Sequence, residues 1–579
     1  MKKIKEKVGG MALFNGLMLR NRKREAVGRI SQKGDITVEI VPAENKDIDE
    51  DKFTVYDIPI IRGMLTMKNM IASSVPYVLK SAQNVLDKKS EEKVDIDKFE
   101  IVSAYVLAIT IILILLAAIP NFISTFLDMS IRNISQAIMQ TAAFVIYLLL
   151  LAKIDTLKTL FEYHGAEHKV ANAYENLDKK DITVENVKKQ SRFHTRCGGN
   201  FVIYLFLLIL FITLVIPSNN LIFKTILQVA ILPFLAGFSY ELVMYTEYLP
   251  KFLRFLAYPA MSIQLITTKE PSDDKIKLAI YTLFGCVNGN KEISVKKFID
   301  SFLLQNKKIK KDFLLKDALI IIARIKDIDS NKLFVSMEDI MLDYNNQIKA
   351  TIMLDKLYKD NIPLAYIVEN CNFYKENYKV NKNVLIPRVD SEILVEKAIE
   401  YIEKEKLETL IDMCTGSGCL GISISKNSSV KHADLVDISK NALKVAAKNI
   451  SSNTIESKCS ILNSDLFKSL ETSNTKYDIL VSNPPYIPTD DIPALDDSVK
   501  KEPVKALDGG KDGMTFYKAI LNQAPDYLKD NSILIFEIGF NQLSIFTKLI
   551  NKYNKYKIIE NVKDYGGNDR VVICRFQKK

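Results

Sequence analysis

The segment SNPPY (482–486) holds the residue types best suited to chemistry in this sequence. It follows an apolar run that predicts a buried strand, and the two prolines end that strand because proline lacks an N–H and fixes φ. The side-chain oxygen of Asn483 and the backbone carbonyl of Pro484 can each accept a hydrogen bond from a substrate N–H. Two fixed acceptors around one nitrogen suit a planar NH2 group, either an amide or the exocyclic amine of a base. Tyr486 would pack on the flat group that carries this nitrogen.

A glycine-rich loop upstream indicates a ligand that contains a nucleoside. The predicted strand TLIDMC (409–414) runs into a GxGxxG pattern at Gly416, Gly418 and Gly421, and a predicted helix follows. Asp437 ends the next predicted strand about 20 residues further on, which is where an acidic residue binds the ribose hydroxyls of such a ligand.

Three acidic residues favour a methyl donor over a dinucleotide. Asp412 stands immediately before the loop, where it would repel a pyrophosphate but suit the cationic amino-acid part of S-adenosylmethionine. Asp465 follows a further predicted strand and could accept a hydrogen bond from the adenine amino group. With Asp437, these residues place a carboxylate at three successive strand ends and predict an S-adenosylmethionine site.

The NH2 clamp and the donor site together predict methyl transfer to nitrogen. Holding both hydrogens of an NH2 group would pull the nitrogen lone pair out of conjugation and towards the sulfonium methyl, which is catalysis by positioning. Taken alone, the residues leave the amide and the base amine open as acceptors.

The elements that must position these residues form an α/β domain at 371–579. Short apolar strands such as ADLVDI and SILIFEI alternate with helices, which predicts a Rossmann-like parallel sheet covered on both faces. Ligands bind at the carboxyl ends of such strands. Amphipathic patterns such as DFLLKDALIIIARI predict a small helical bundle at 286–370, which we expect to recognise the substrate.

The first 285 residues predict a different kind of domain, an α-helical polytopic membrane module. Four apolar segments are long enough to cross a bilayer, and they lie at 101–120, 134–152, 201–217 and 221–240. Lysine and arginine are concentrated between the second and third segments, so the positive-inside rule places that loop, the N-terminus and everything after Tyr240 in the cytoplasm. We therefore expect a multi-pass protein of the inner (cytoplasmic) membrane with its methyltransferase domain in the cytoplasm.

Composition adds two limits. Seven scattered cysteines, an odd number, favour a reducing compartment over a disulfide framework. A net charge of +10 over 579 residues does not by itself indicate nucleic-acid binding, because basic cytoplasmic loops beside a membrane give the same excess.

The cytoplasmic loop at 153–200 contains a candidate metal site. It holds three of the four histidines, and the HxxEH pattern places His164 and His168 on one helix face. Zinc would accept both imidazoles, with His194 or Cys197 as a third ligand. The pattern leaves open a metal-dependent enzyme, a non-catalytic metal site, and a polar network in a membrane anchor.

Residues 292–579 resemble the HemK/PrmC family of peptide chain release factor N5-glutamine methyltransferases. The resemblance lies in IPLAYIVENCNFYKENYKVNKNVLIPRVDSEILVE (362–396), DMCTGSGCLGIS, SNPPYIP, EPVKALDGGKDGMTFY, LIFEIG and GGNDRVVICRF, in that order. It implies a helical N-terminal bundle, a class I methyltransferase domain, S-adenosylmethionine as donor, and the glutamine of the Gly-Gly-Gln loop of class 1 release factors as acceptor. One departure is Met413-Cys414, where Leu-Gly is usual.

The resemblance also implies site residues. Those expected around the donor are Asp412, Thr415, Gly416, Gly418, Asp437, Asp465 and Asn483. Those expected around the glutamine amide are Asn483, Pro484, Pro485 and Tyr486, with Arg388 and Glu502 at the mouth of the site.

A closely similar motif occurs in amino-methyltransferases that act on adenine in DNA or RNA, which is the alternative function. Those enzymes need a basic surface that accommodates a flipped base. The helical segment here is rich in lysine but also in acidic residues. Mostly because of the resemblance given above, we expect release factors rather than nucleic acid as partners.

Residues 1–285 resemble bacterial membrane proteins of unknown function that are described as predicted metal-dependent enzymes. The similarity lies in GGMALFNGLMLR (9–20), EYHGAEHKVANAYE (162–175), SRFHTRCGGNF (191–201), AGFSYEL (236–242) and LITTKEPSDDKIKLAI (265–280). This family brings no established reaction, so the resemblance implies a metal without naming a substrate.

Overall fold

A computed structural model describes residues 8–21, 23–31, 34–43, 58–66, 76–78, 81, 114–215, 221–246, 258–471 and 475–578. The chain divides into two compact units. The first comprises Met1–Ser294 with Met341–Lys349, and the second comprises Val295–Ile340 with Ala350–Lys579. The first unit therefore extends beyond the predicted boundary at residue 285.

An antiparallel sheet opens the first unit, and its strands pair in chain order. Its members are β1 (Gly9–Leu13), β2 (Gly16–Arg20), β3 (Arg24–Ile30) and β4 (Ile36–Pro42). The prediction of an α-helical membrane module is wrong in this respect, since it did not include a sheet. In β4 the buried Ile36 and Val38 alternate with exposed Thr37 and Glu39, which is the period-two pattern of a strand with one covered face.

Most of the other described elements of the first unit are helices. Its α-helices are α1 (Ile119–Ser124), α2 (Met129–Leu151), α3 (Asp155–Asn176), α4 (Val184–Lys188), α5 (Gly198–Val215), α6 (Leu221–Tyr245), α7 (Tyr258–Ser262), α8 (Gln264–Thr267) and α9 (Asp273–Asn288). Helix α9 packs on the sheet, because a Cβ on Gly28 would lie 1.9 Å from Oγ1 of Thr282.

The predicted membrane segments correspond to these helices to different degrees. Within the described part of the chain, two helical segments are long and apolar enough to cross a bilayer, namely Ile131–Leu151 and Gly198–Val215. The apolar stretch found in α6 is shorter, Val229–Tyr245. Residues 101–113 of the first predicted segment lie outside the described residues, and its remainder forms a π-helical turn (Ile114–Ala118) that leads into α1. Length and composition therefore give weak support for membrane insertion.

The second unit begins with a helical region that leads into the predicted α/β domain. Its helices before the main sheet are α10 (Val295–Gln305), α11 (Lys311–Lys326), α12 (Ser330–Val335), α13 (Tyr344–Tyr358, which starts in the first unit) and α14 (Leu364–Val368). Short strand pairs also occur: β5 (Ile293–Ser294) pairs with β6 (Met341–Leu342) in the first unit, and β7 (Cys371–Phe373) pairs with β8 (Glu376–Tyr378) in the second.

A seven-stranded sheet organises the rest of the second unit. Its strands are β9 (Thr409–Met413), β10 (His432–Asp437), β11 (Cys459–Asn463), β12 (Tyr477–Ser482), β13 (Leu528–Glu537), β14 (Tyr556–Lys563) and β15 (Asp569–Phe576). They lie in the order β11-β10-β9-β12-β13-β15-β14. The first five run parallel, and β15 is antiparallel to both of its neighbours.

Helices cover both faces of this sheet. They are α15 (Glu392–Glu405), α16 (Cys419–Asn427), α17 (Lys440–Ser452), α18 (Thr515–Gln523) and α19 (Leu543–Lys552). A hydrophobic core lies on each face of the sheet. Successive residues of β9 pack into different cores, Leu410 into one and Ile411 into the other. Burial of both faces is the reason that the central strands read as continuous apolar runs.

Candidate active site

The carboxyl ends of the parallel strands open into one cavity of about 550 Å³. Its wall includes the glycine loop after β9, Asp437 at the end of β10, Asp465 after β11, and Asn483 after β12. The structure therefore brings together features that the sequence predicts at four separate places. The lining residues used below are Arg388, Ser391, Cys414, Thr415, Gly416, Asp437, Asp465, Asn483 and Pro485.

The glycine loop has a left-handed backbone at several positions. Gly416 has φ +56° and Gly418 has φ +83°, and a Cβ on Gly418 would lie 2.9 Å from Cδ1 of Ile422. Gly418 thus serves both backbone conformation and close packing of α16. Cys414 has φ +63° although it is not glycine, so this position has a left-handed backbone at a cost in strain.

Asp412 lies within the protein behind this loop and is not among the residues that line the cavity. Its Oδ2 accepts hydrogen bonds from the Thr415 hydroxyl and from the N–H of Gly421 at 3.0 Å. Its Oδ1 is buried and has no hydrogen-bond partner among the described residues. Burial raises the pKa of Asp412 to about 7. One oxygen therefore shapes the loop, and the other is a spare acceptor that no described group satisfies.

Asp437 joins the loop to the next strand. Its Oδ2 accepts from the N–H of Gly416 at 2.9 Å, and its Oδ1 accepts from the N–H of Ser439 at 2.8 Å. Burial raises the pKa of this carboxyl, and the backbone hydrogen bonds oppose the shift. Asp465 also lines the cavity, but its side chain is exposed. The fixed Asp437 and the accessible Asp465 are suitably placed for a ribose and an adenine amino group.

Asn483 is held by a hydrogen-bond chain that was not predicted. Its Nδ2 donates to Oγ of Ser391 at 3.3 Å. The hydroxyl of Ser391 in turn donates to Oε2 of Glu537, and the hydroxyl of Tyr486 donates to Oε1 of Glu537 at 3.4 Å. Burial raises the pKa of Glu537, and hydrogen bonds from both hydroxyls oppose the shift. Glu537 ends strand β13, so its position at the same sheet edge was the available signal.

The other predicted substrate residues take several positions. Pro485 lines the cavity, whereas Pro484 and Tyr486 are not among its lining residues. Tyr486 packs against the hydrophobic core beneath the β12–β13 edge, and Gln542 donates to its backbone carbonyl at 2.7 Å. Contact between Tyr486 and a substrate therefore stays a prediction.

Glu502 and Arg388 form an ion pair. Arg388 lines the cavity, but Glu502 is buried and accepts from the N–H of Ile386 at 3.0 Å. Glu502 therefore fixes the backbone beside the cavity and holds the Arg388 guanidinium, and of the two residues only Arg388 lines the cavity.

A second candidate site lies on α3 in the first unit, where His164 and His168 are one turn apart. Nδ1 of His164 lies 2.9 Å from the carbonyl oxygen of Thr267, and Nδ1 of His168 lies 2.6 Å from that of Arg192. Because a carbonyl oxygen can only accept, each Nδ1 carries a proton and each Nε2 presents its lone pair on the other side of the ring. Metal-binding histidines are held in this way by backbone carbonyls.

Cys197 completes a group of three potential ligands. Its Sγ lies 3.2 Å from Nε2 of His164, and the ligand atoms of the two histidines and the cysteine all lie within 4.8 Å of one another. Two ligands of one tetrahedral zinc ion lie roughly 3.5 Å apart, given Zn–N and Zn–S distances of about 2.0 and 2.3 Å. The buried Glu167 is adjacent, with Oε2 3.5 Å from Nε2 of His168. This donor set suits a zinc ion.

His194 is not part of this group. Its Nδ1 accepts from the N–H of Arg196 at 3.3 Å, and its Nε2 lies 3.7 Å from a carboxylate oxygen of Glu175. Its Nδ1 is therefore engaged elsewhere, and of the two alternatives for the third ligand the structure brings Cys197, not His194, to the pair.

The sheet order, the glycine loop and the clustered carboxylates define the second unit as a class I S-adenosylmethionine-dependent methyltransferase. Residues 389–495 match the family model "Methyltransferase small domain", and residues 58–288 match "Protein of unknown function (DUF1385)", an uncharacterised family.

Proteins similar in sequence indicate which kind of methyltransferase the second unit is. The chain is 36% identical over 264 residues to the release factor glutamine methyltransferase of Clostridium acetobutylicum, covering 45% of this chain and 92% of that protein. It is 36% identical over 297 residues to the enzyme of that name from Fusobacterium nucleatum subsp. nucleatum, covering 50% and 82%, and 39% identical over 223 residues to that from Clostridium botulinum, covering 38% and 77%. Through its C-terminal half the chain belongs to the release factor glutamine methyltransferase family, and this half is a protein-glutamine methyltransferase.

Proposed function

We propose that the second unit transfers the methyl group of S-adenosylmethionine to the side-chain amide nitrogen of the glutamine in the Gly-Gly-Gln motif of class 1 peptide chain release factors. The observation that carries the proposal is that Asn483 lines the same cavity as the glycine loop and Asp437. An acceptor for an NH2 group therefore shares one space with the groups that suit a nucleoside methyl donor.

S-adenosylmethionine supplies an electrophilic methyl group when it is bound. The residues that would hold it are Asp412, Thr415, Gly416, Gly418, Asp437 and Asp465, with Asn483 beside them. Asp437 suits the ribose hydroxyls because its carboxylate is fixed by two backbone N–H groups. The spare oxygen of Asp412 suits the ammonium group of the donor.

Asn483 and Pro484 would bind the acceptor amide. The Asn483 oxygen and the Pro484 carbonyl accept one hydrogen each, which orients the nitrogen lone pair towards the methyl group. Two prolines restrict the backbone that carries these acceptors, so little orientation entropy is lost when the substrate binds.

The test is methyl transfer from labelled S-adenosylmethionine to a purified class 1 release factor. We expect label on the release factor and none on a variant whose Gly-Gly-Gln glutamine is replaced by alanine. Asn483→Ala in the full chain should lower kcat by about 100-fold or more while S-adenosylmethionine still binds, because its loss removes an acceptor that acts in the transition state. Label on DNA or RNA adenine without label on the release factor would refute the proposed substrate.

We further propose that the first unit binds one zinc ion through His164, His168 and Cys197, with Glu167 as the nearest additional oxygen donor. The supporting observation is the orientation of the two imidazoles, whose Nδ1 atoms are both committed to backbone carbonyls. Between a metal-dependent enzyme and a structural metal site, burial of Glu167, His168 and Cys197 favours a structural role, because a closed site leaves no position for substrate.

Metal analysis of the purified full chain tests this site. We expect about one zinc per chain, loss of zinc in His164→Ala and Cys197→Ala, and retention in His194→Ala, which is the matched control because His194 is engaged elsewhere. Wild-type protein without bound metal would exclude the site. Equal loss in the His194 variant would show that the ligand set is wrong.

The proposed location is the inner (cytoplasmic) membrane, with four crossings and a cytoplasmic methyltransferase domain. The support is that the apolar windows of Ile131–Leu151 and Gly198–Val215 are only 17% and 11% buried within the protein, so their side chains need another apolar environment. Fractionation should recover the chain in membranes that resist carbonate extraction, and protease added to right-side-out vesicles should leave the C-terminal domain intact. Release by carbonate would refute insertion.

A further inference from the structure

We infer that Ser391 and Glu537 are positioning residues that fix which end of the Asn483 side chain faces the substrate. The inference rests on the proposed transfer to an NH2 group, because only such an acceptor needs the amide oxygen of Asn483. A side-chain amide has a donor end and an acceptor end of nearly the same shape. If it turned over, Asn483 would present N–H groups to a substrate that also carries N–H groups.

Glu537 sets the direction of the hydrogen bonds. It is the last residue of strand β13 and is buried. Each of its two oxygens faces one hydroxyl, that of Ser391 on Oε2 and that of Tyr486 on Oε1. In its ionised form Glu537 can only accept, so the Ser391 hydroxyl then uses its hydrogen on Oε2 of Glu537. The lone pairs of Ser391 Oγ then remain as the acceptor for its other neighbour.

That neighbour is the Asn483 side chain, whose Nδ2 lies 3.3 Å from Ser391 Oγ. Since Ser391 has no hydrogen left to donate in this direction, only the NH2 end of Asn483 can bind it. The reversed amide would place two acceptors against each other in a buried position, which is unfavourable. The Asn483 oxygen is thereby kept on the cavity side, although neither Ser391 nor Glu537 has to touch the reacting atoms.

The places of these three residues in the fold explain why their hydrogen-bond chain can be rigid. Ser391 precedes α15, Asn483 follows β12, and Glu537 ends the neighbouring β13. Ser391 and Glu537 are only 3% and 1% exposed, so bulk water has little access to their hydrogen bonds. The direction of a chain shielded from water is set by its terminal acceptor.

Steady-state kinetics of the full chain test the inference. We expect Ser391→Ala to lower kcat by about 10-fold with the KM for S-adenosylmethionine within 2-fold of wild type, and Glu537→Gln to lower kcat by a similar factor, since glutamine can both donate and accept. Ser391→Thr should recover most of kcat because it restores the hydroxyl. The matched control is Ser425→Ala, which removes a buried serine hydroxyl on α16 away from the cavity, and it should keep the wild-type kcat.

The outcomes are distinguishable from failure of the proposed function. If wild-type enzyme methylates adenine and not glutamine, the substrate proposal fails, but Ser391→Ala should still lower kcat with that NH2 acceptor. A kcat for Ser391→Ala within 2-fold of wild type overturns the inference. So does a loss of equal size in Ser391→Thr, because the volume of the side chain and not its hydroxyl would then matter. Should Ser391→Ala fail to bind S-adenosylmethionine, Glu537→Gln decides by the same criteria.

Discussion

The buried carboxyl of Asp412 makes a quantitative prediction about donor binding and pH. In the free protein, burial raises its pKa from 3.8 to about 7. An ammonium group bound at the unpartnered Oδ1 would favour the carboxylate and bring the pKa back towards its ordinary value. Binding of S-adenosylmethionine should therefore release a proton from Asp412 at and below neutral pH.

The magnitude follows from linkage between protonation and binding. With a pKa of about 7 in the free protein and an ordinary value in the complex, the dissociation constant should be roughly 16-fold larger at pH 5.5 than at pH 7.0. The sign is that affinity rises with pH, because the form that binds is the ionised one. The same shift makes the free protein less stable as pH rises from about 4 towards 7, since the native state holds the proton more tightly than the unfolded chain.

Asp412→Asn is the perturbation that isolates this effect. Its Oδ1 can replace the oxygen that accepts from Thr415 and Gly421, and its NH2 can take the position of the unpartnered oxygen. The loop should therefore persist while affinity at pH 7.0 falls by about 10- to 100-fold, the value of a hydrogen bond to a charged group.

Calorimetric titration of the full chain with S-adenosylmethionine is the assay, since the chain has no tryptophan to serve as a fluorescent probe. Titrations in buffers of different ionisation enthalpy report the released protons directly. Asp437 lines the cavity and also has a raised pKa, so Asp437→Asn is the matched control for any pH dependence that persists. If Asp412→Asn binds with wild-type affinity and the same pH dependence, the assignment of Asp412 to the donor's ammonium group is wrong.

Two further predictions concern stability. Gly418→Ala should lower the free energy of unfolding by more than Gly416→Ala does. At Gly416 the left-handed backbone alone costs roughly 1–2 kcal/mol, whereas at Gly418 the new Cβ would also press on Ile422. Thermal melting of both variants measures the difference. An equal cost at the two glycines would contradict this. Lys169→Ala should destabilise the first unit by about 2–3 kcal/mol, since the buried ammonium donates to two backbone carbonyls and pairs with Glu270. The exposed Lys153→Ala is its control, and matching melting temperatures would contradict the role of Lys169.

The methyltransferase half was predictable because its signals are local and agree with one another. Strands β9, β10 and β12 contain apolar runs, and each leads into a polar residue that lines the cavity, namely Thr415 after β9, Asp437 at the end of β10 and Asn483 after β12. Parallel strands carry their carboxyl ends to one edge, so a residue's place at a strand end already gives its place in the site.

The antiparallel sheet of the first unit was missed for a physical reason. The strand β2 (GLMLR) is buried on both faces, so it shows no alternation, and short apolar runs of this kind do not distinguish a strand from a helix. Long apolar helices further along the chain dominate the composition of this half and direct a sequence-based interpretation towards an all-helical module.

The sequence could not show which atom donates and which accepts in each hydrogen bond of the two sites. The motif indicates that Asn483 offers an oxygen, but an asparagine offers an NH2 group equally well, and only the order of Ser391 and Glu537 in space selects between them. The metal group shows the same limit, because His194 has the right residue type and lies in the right loop. Its exclusion depends on the Arg196 N–H that occupies its Nδ1. In both sites the residue types were predictable, whereas the assignment of donors and acceptors required the neighbours that the fold supplies.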